Sequence, residues 1–244
     1  VWESSVWKVL NFFLSQRCGY EVPGKHRACH RDLLLRHGDK AIVANGGWHD
    51  AADLAQGMEN TAEGTAGLFL LAEALKGRNE RLYARVMEEA RWGLDYVMKV
   101  RFGDGYRSSY SSTSIWTDGV IGTCDDILSK PTRQPLPNFL SAHAEAIGAR
   151  MVRDTDPVLA DYALRIAMED FGFAEEAWEN PPDGKLFSFP VHLAGAATAA
   201  AAELCRAGAG EAYGQKAAAY ARRLIACQQR IYTDWDIPMR GFFY

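Results

Sequence analysis

No apolar run in this 244-residue chain approaches the length of a membrane-spanning helix, so no helical membrane anchor is expected within it. It also lacks a basic surplus: 27 Lys and Arg face 31 Asp and Glu, a formal net charge of −4. A nucleic-acid partner is therefore not expected, because nothing is left over to neutralise phosphates. Cysteine is scarce and odd in number, 5 in all, which argues against a disulfide framework. No segment alternates apolar and polar residues between hairpin turns, so strands are not expected. An initiator Met is missing as well. The chain opens on Val-Trp-Glu, and we expect a cut or processed chain whose export signal would lie upstream.

What remains is a mainly helical pattern. Periodicity and breakers predict seven helices at roughly 3–16, 59–76, 80–101, 138–153, 156–179, 190–207 and 210–230. Short links at 77–79, 154–155 and 208–209 make each following helix antiparallel to the one before it. The other connections, 17–58, 102–137 and 180–189, are longer and must then gather at one end. From 59–76 onward the helices hold 4, 9, 3, 8, 2 and 5 charged residues, so a charge-poor helix alternates with a charge-rich one. A helix apolar all round, such as 64-GTAGLFLLA-72 or 193-LAGAATAAAA-202, is buried on all sides. This predicts an inner layer of helices wrapped by an outer one, as in an all-α toroid of helical hairpins. Long loops on one end of such a scaffold are where a site is built.

The first long loop holds 45-NGGWHDAADLAQG-57. Gly46 and Gly47 permit backbone angles that other residues avoid. Asp50 and Asp53, three apart, converge on one side of a helical turn and could polarise a water for attack on an acetal carbon. The blander alternative is a capping box at a helix start, and calcium binding is a lesser one. Cys18, Cys29, His30 and His49 could close a tetrahedral zinc site of structural kind, with His26 as a substitute ligand. The rivals are a Cys18–Cys29 disulfide, or no link at all. Calcium is a further candidate cofactor without an assigned site. Asp125-Asp126 reads as a solvated loop and His143 as a satisfied core histidine. Trp116, Trp48, Tyr110 and Tyr106 are candidate sugar platforms, each set against an ordinary packing role.

Taken together, 10-LNFFLSQRCG-19, 29-CHRD-32 and 46-GGWHDAADLAQG-57 resemble glycoside hydrolase family nine, the endoglucanase-like inverting enzymes. That family shows, in this order, a first helix ending in Gln-Arg-x-Gly, a Cys-His-x-Asp segment and a Gly-Gly-Trp-[His/Tyr]-Asp-Ala-Gly-Asp block. Ala52 stands where the family usually has Gly. The segments 92-WGLDYVMK-99 and 103-GDGYRSSYSSTSIWTDG-119 are similar to family segments too. The resemblance implies a barrel of six helical hairpins, of which this chain would be the N-terminal portion, about seven of twelve helices in one domain. It implies hydrolysis of a β-1,4-glucan or related plant polysaccharide with inversion, Asp53 as general base and Asp50 as holder of the water. The family's general acid, a late Glu, has no match here and would lie beyond Tyr244, on the C-terminal half of the barrel as partner. Some relatives with an immunoglobulin-like domain before the barrel carry a comparable zinc. The family is mostly exported, so a secreted or periplasmic protein is implied, although free thiols would tolerate a reducing compartment. Two other readings remain open: a glycan-binding or partner chain without catalysis, and a zinc-dependent enzyme of another class on the same toroid.

Overall fold

The computed structural model of the chain describes residues 2–50, 54–111, 115–228, 241 and 243, leaving aside the side chain of Asp183. Seven α-helices are present among them: α1 Trp2–Gln16, α2 Met58–Leu75, α3 Glu80–Lys99, α4 Pro135–Val152, α5 Pro157–Glu179, α6 Pro190–Arg206 and α7 Glu211–Ala226. Side-chain caps start the helices that follow two of the short links. Asn79 accepts from the Leu82 amide, and Asp156, just before Pro157, accepts from the Leu159 amide. None of the helices is long and apolar enough to cross a membrane.

The layering follows the charge alternation. α2 packs on α4 and α4 on α6, while α3, α5 and α7 each lie outside the helix that precedes them. α4 is buried on nearly every side, from Pro135 and Phe139 to Ala149, whereas α7 buries no residue fully. Close approach depends on small residues. A Cβ on Gly148 of α4 would stand 2.8 Å from Leu94 Cδ2 of α3. α1 rests against α3.

The expectation of no strands is corrected. β1 Leu33–His37 and β2 Lys40–Val43 form an antiparallel hairpin, and β5 Ile127–Ser129 adds to β1 in parallel. β3 Gln56–Gly57 pairs with β4 Tyr110–Ser111. The two-residue turn Gly38-Asp39, with Gly38 at φ +56°, is a hairpin signal. It was masked because 33-LLLRHGDKAIV-43 does not alternate: Leu33 and Leu35 face the core while charged residues crowd the turn. These small sheets tie the long loops together at the end of the helices where they gather.

One buried charge network fastens the loop after α3 to α5. Arg107 donates to Asp170 at 2.6 Å and to the Val97 carbonyl, and Arg101 donates to Asp170 and Glu169. Two guanidiniums thus balance two carboxylates. Glu145 of α4, fully buried and 3.8 Å from Arg107, is the odd acid. Burial pushes its carboxyl well above the usual carboxylate range, the Asp170 charge adds to this, and the guanidiniums of Arg107 and Arg101 oppose it. A folded-state pKa above the unfolded one gives stability that is complete below the unfolded value, near pH 4, and lost as pH rises through the folded one. We therefore predict that Glu145→Gln flattens the fall in melting temperature as pH rises above the ordinary carboxylate range. Superimposable pH profiles for the two proteins would show that Glu145 carries no proton in the fold.

Candidate active site and metal centre

The segment 45–50 is laid along one face of α3. Lys99 donates to Asn45 Oδ1, Trp92 Nε1 donates to the Gly47 carbonyl at 2.8 Å, and Gln56 donates to the Gly46 carbonyl. Gly46 and Gly47 have φ of +105° and +61°, and a Cβ on Gly47 would meet Tyr96 Cγ at 3.0 Å. Only glycine satisfies both the backbone angle and the close approach. The same segment bridges the end of α1: Cys18 N donates to the Gly47 carbonyl at 3.1 Å, and His49 N to the Gln16 carbonyl at 2.8 Å.

Trp48, one of the candidate sugar platforms, is buried against α1 and α3. It is 5% exposed, its indole N–H donates to Glu89, and its ring meets Phe13 edge-on at 4.8 Å. His37 covers the ring face of Tyr106, another candidate, at 4.2 Å, and Tyr106 does not line the cleft described below.

Cys18, Cys29, His30 and His49 come together as one buried group, their donor atoms all within 4.8 Å of one another. Cys18 Sγ lies 3.9 Å from Cys29 Sγ and 3.4 Å from His30 Nδ1; His49 Nε2 lies 3.7 Å from Cys29 Sγ and 3.3 Å from His30 Nδ1. A tetrahedral ion with Zn–S of about 2.3 Å and Zn–N of about 2.05 Å would space sulfurs about 3.8 Å, nitrogens about 3.3 Å and mixed pairs about 3.6 Å apart. These four spacings therefore fit zinc. A disulfide is not formed: both cysteines are free, and the sulfurs are about twice a bond length apart. His26 stands outside the group, its Nδ1 at 2.7 Å from the Arg27 carbonyl.

The surroundings aim His30 and place charge on Cys29. His30 Nε2 donates to the Ile115 carbonyl at 3.2 Å, which leaves the Nδ1 lone pair facing the sulfurs. The hydrogen bond with Cys18 holds the Cys29 thiol down to about 2, with the rings of His30 and His49 and the Gly19 amide helping against burial. Cys18 is raised in turn by its bond to Cys29 and by burial, so the negative charge sits on Cys29. His30 has φ +49° and Leu54 φ +61°, the two non-glycine residues at positive φ among those described. Both flank the same site, where strain is held by the contacts around it.

Beside this group opens a cleft of about 560 Å³, walled by Phe12, Gln16, His26, His49, Asp50 and Trp116 among others. Asp50 N donates to the Ala55 carbonyl at 2.9 Å. Asp50 Oδ2 accepts from Asn60 at 3.2 Å, whereas its Oδ1 is buried and has no partner among the described residues. That oxygen is free to accept from a small polar molecule at the cleft floor. Asn60, in the first turn of α2, escaped the sequence reading because an isolated Asn carries no signal of its own. Trp116 is 39% exposed and stacks on His26 and His30, so it roofs the metal group and borders the cleft at once. Tyr110 is half exposed and stands over Gly57 at the start of α2. Asp53, the expected base, lies outside the described residues.

A second acidic group, Asp32, Asp118 and Asp125, is occupied by its own loop: Thr117 and the Gly119 amide donate to Asp32, and the Asp118 amide and Thr123 donate to Asp125. His143, on α4, is half-buried, and that burial lowers the pKa of its ring.

The groove that receives Trp48 has no spare room. A Cβ on Gly93 would stand 2.1 Å from Thr65 Oγ1 and 2.3 Å from Trp48 Cη2. We predict that Gly93→Ala costs about 1–3 kcal/mol by urea unfolding and raises the exposure of Trp48 to a fluorescence quencher. An unchanged midpoint and unchanged quenching would mean that the loop is not clamped there.

A search of curated protein sequences finds no match. Among solved structures, the chain is similar to a single-mutant thermostable endoglucanase from Alicyclobacillus acidocaldarius, with 22% identity and a TM-score of 0.70 over 89% of this chain and 46% of that one. It is similar to an endoglucanase from the termite Nasutitermes takasagoensis, with 18% identity and a TM-score of 0.67 over 96% and 57%. It is also similar to a zinc-binding triple mutant of a family 9 endoglucanase, with 19% identity and a TM-score of 0.67 over 95% and 49%. The chain thus spans about half the length of these proteins. At such identities the likeness shows the fold, which is the helical toroid expected from the charge alternation. A sequence profile of glycosyl hydrolase family 9 matches residues 2–243, nearly the whole length. The chain belongs to glycosyl hydrolase family 9.

Proposed function

We propose that the chain carries the water-handling side of an inverting hydrolase of β-1,4-glucan or a related plant polysaccharide. The observation that carries this reading is Asp50, at the floor of an aromatic-walled cleft, with one carboxylate oxygen held by Asn60 and the other unpartnered among the described residues. Asp50 Oδ1 accepts a hydrogen bond from a water and orients it. Asp53 takes the other proton as the oxygen attacks the anomeric carbon. The bond to the leaving oxygen breaks, and that oxygen receives a proton from a Glu supplied by the remaining C-terminal half of the barrel. Base and acid stand about 6.5–9.5 Å apart in such a single displacement, and the configuration inverts. Trp116 and Tyr110, the two exposed aromatics of the expected four, offer ring faces to sugars.

Cys18, Cys29, His30 and His49 would hold a zinc ion, which with four protein ligands supplies a fixed geometry and no open position for water. This disfavours the zinc-dependent enzyme of another class. Export to the periplasm or outside the cell is proposed with the family resemblance, and calcium is given no site.

Metal analysis should find one zinc per chain, and Cys29→Ser should lower its retention during dialysis against a chelator. A metal-free protein with unchanged stability after chelation would remove the structural zinc.

For the reaction, Asp53→Asn in the enzyme with its complete barrel should lower kcat by about 100-fold or more with little change in KM, because Asn cannot take the proton. Asp50→Asn should lower it less, and azide should partly restore Asp53→Asn. A capping role predicts a stability loss of about 1 kcal/mol and near-normal turnover instead. Glycan binding without turnover by the complete protein would favour the non-catalytic reading.

A further inference from the structure

Glu89 lies on the apolar stripe of α3 and is fully buried, in a position where a carboxylate is costly unless every oxygen lone pair is used. Here they are used. Arg17 donates to it twice, from Nε at 2.9 Å and Nη2 at 2.8 Å; Trp48 Nε1 donates at 2.9 Å and Arg85 Nη2 at 2.9 Å. Arg17 precedes the metal-group cysteine Cys18, and Trp48 precedes His49 and Asp50. The two are themselves bridged through their backbones. The guanidinium of Arg17 also lies over the Trp92 ring, 4.8 Å from its centroid, and Trp92 holds the Gly47 carbonyl. One carboxylate thus grips the two chain segments that bring Cys18 and His49 together, from a helix that supplies no ligand and lines no part of the cleft.

We propose that Glu89 is a positioning residue: it sets the separation of Cys18 and His49, and with it the placement of Asp50, by holding Arg17 and Trp48 in one register. The inference rests on the metal centre of the proposed function for one of its two readouts and is independent of it for the other. Outer-sphere partners of metal ligands change metal retention by about 10–100-fold when removed. Glu89→Gln keeps the shape but leaves Arg17 and Arg85 only the exposed Glu88, at 3.6 and 3.5 Å, as counter-ion, so the segments should drift apart even where the helices hold. Trp48→Phe keeps the packing and removes only the indole donor, a milder version of the same change.

The test compares the 244-residue wild-type chain with Glu89→Gln, Trp48→Phe and Glu203→Gln. Glu203 is a control of the same kind, a nearly buried carboxylate that accepts from Arg150 and Arg206 near the C-terminal end of α6. Two rates are read: release of cobalt(II), followed by its thiolate absorption during competition with a chelator, and labelling of Cys18 and Cys29 by a thiol reagent in metal-free protein. We expect Glu89→Gln to speed both rates by about tenfold or more and Trp48→Phe by a smaller factor. Glu203→Gln should leave both near wild type even if it lowers the melting temperature as much. Equal effects of Glu89→Gln and Glu203→Gln would overturn the proposal, reducing Glu89 to general stability. If wild type binds no cobalt, the metal reading fails by itself, and the labelling rates still decide for or against Glu89. Should Glu89→Gln fail to fold, unchanged rates in Trp48→Phe would overturn the proposal.

Discussion

The site depends on a buried anion meeting buried cations across a helix that itself takes no part in the chemistry. Glu89 collects Arg17, Arg85 and the Trp48 indole, and α3 extends the same grip through Trp92, Tyr96 and Lys99. Successive positions are three or four residues apart and share one face of the helix, so the whole segment 45–48 is held along it. An irregular loop normally has few ways to resist motion, since its backbone groups lack a ladder. Here the carbonyls of Gly46 and Gly47 are bonded to Gln56, Trp92 and Cys18 instead. The conformational entropy lost in fixing the loop is offset by side chains reaching out from regular structure.

The metal group is a consequence of that arrangement. Its four donors come from loop segments separated by up to about thirty residues in sequence, yet they lie at spacings that a tetrahedral ion would impose. A positive φ at His30 and the bond from its Nε2 to Ile115 show that the ring is aimed by its surroundings. Asp50 follows His49 directly, so an error in the metal group would be passed to the carboxylate through a single peptide bond.

Much of this was legible in the sequence, for identifiable reasons. The inner and outer helices were readable because burial on all sides excludes charge, which is why α4 and α6 could be told from α5 and α7. The metal donors were readable because Cys and His are few and clustered near the Gly-Gly-Trp-His-Asp block. The β1–β2 hairpin was not readable, since its inward Leu33 and Leu35 are obscured by the continuous run around them. The burial of Trp48 was not readable, because sequence cannot show which side of a loop faces a groove. Its burial follows from Gly93, which makes room for it one turn along α3 from Glu89. Glu89 itself left one trace: a carboxylate within a stripe of Leu82, Val86, Ala90 and Leu94 has to find cations from elsewhere in the chain.

The account holds that the segments around Cys18 and His49 form one unit, locked to α3 and completed by a metal ion. Hydrogen–deuterium exchange at the Cys18 and His49 amides, with zinc and after its removal, tests this most directly. Both amides donate to carbonyls of the opposite segment. With zinc the two should be protected to the same degree. After chelation they should lose protection together, while the amides of α4 and α5 keep theirs. Unprotected amides at Cys18 and His49 in the zinc-loaded protein, or a loss shared equally by α4 and α5, would contradict it.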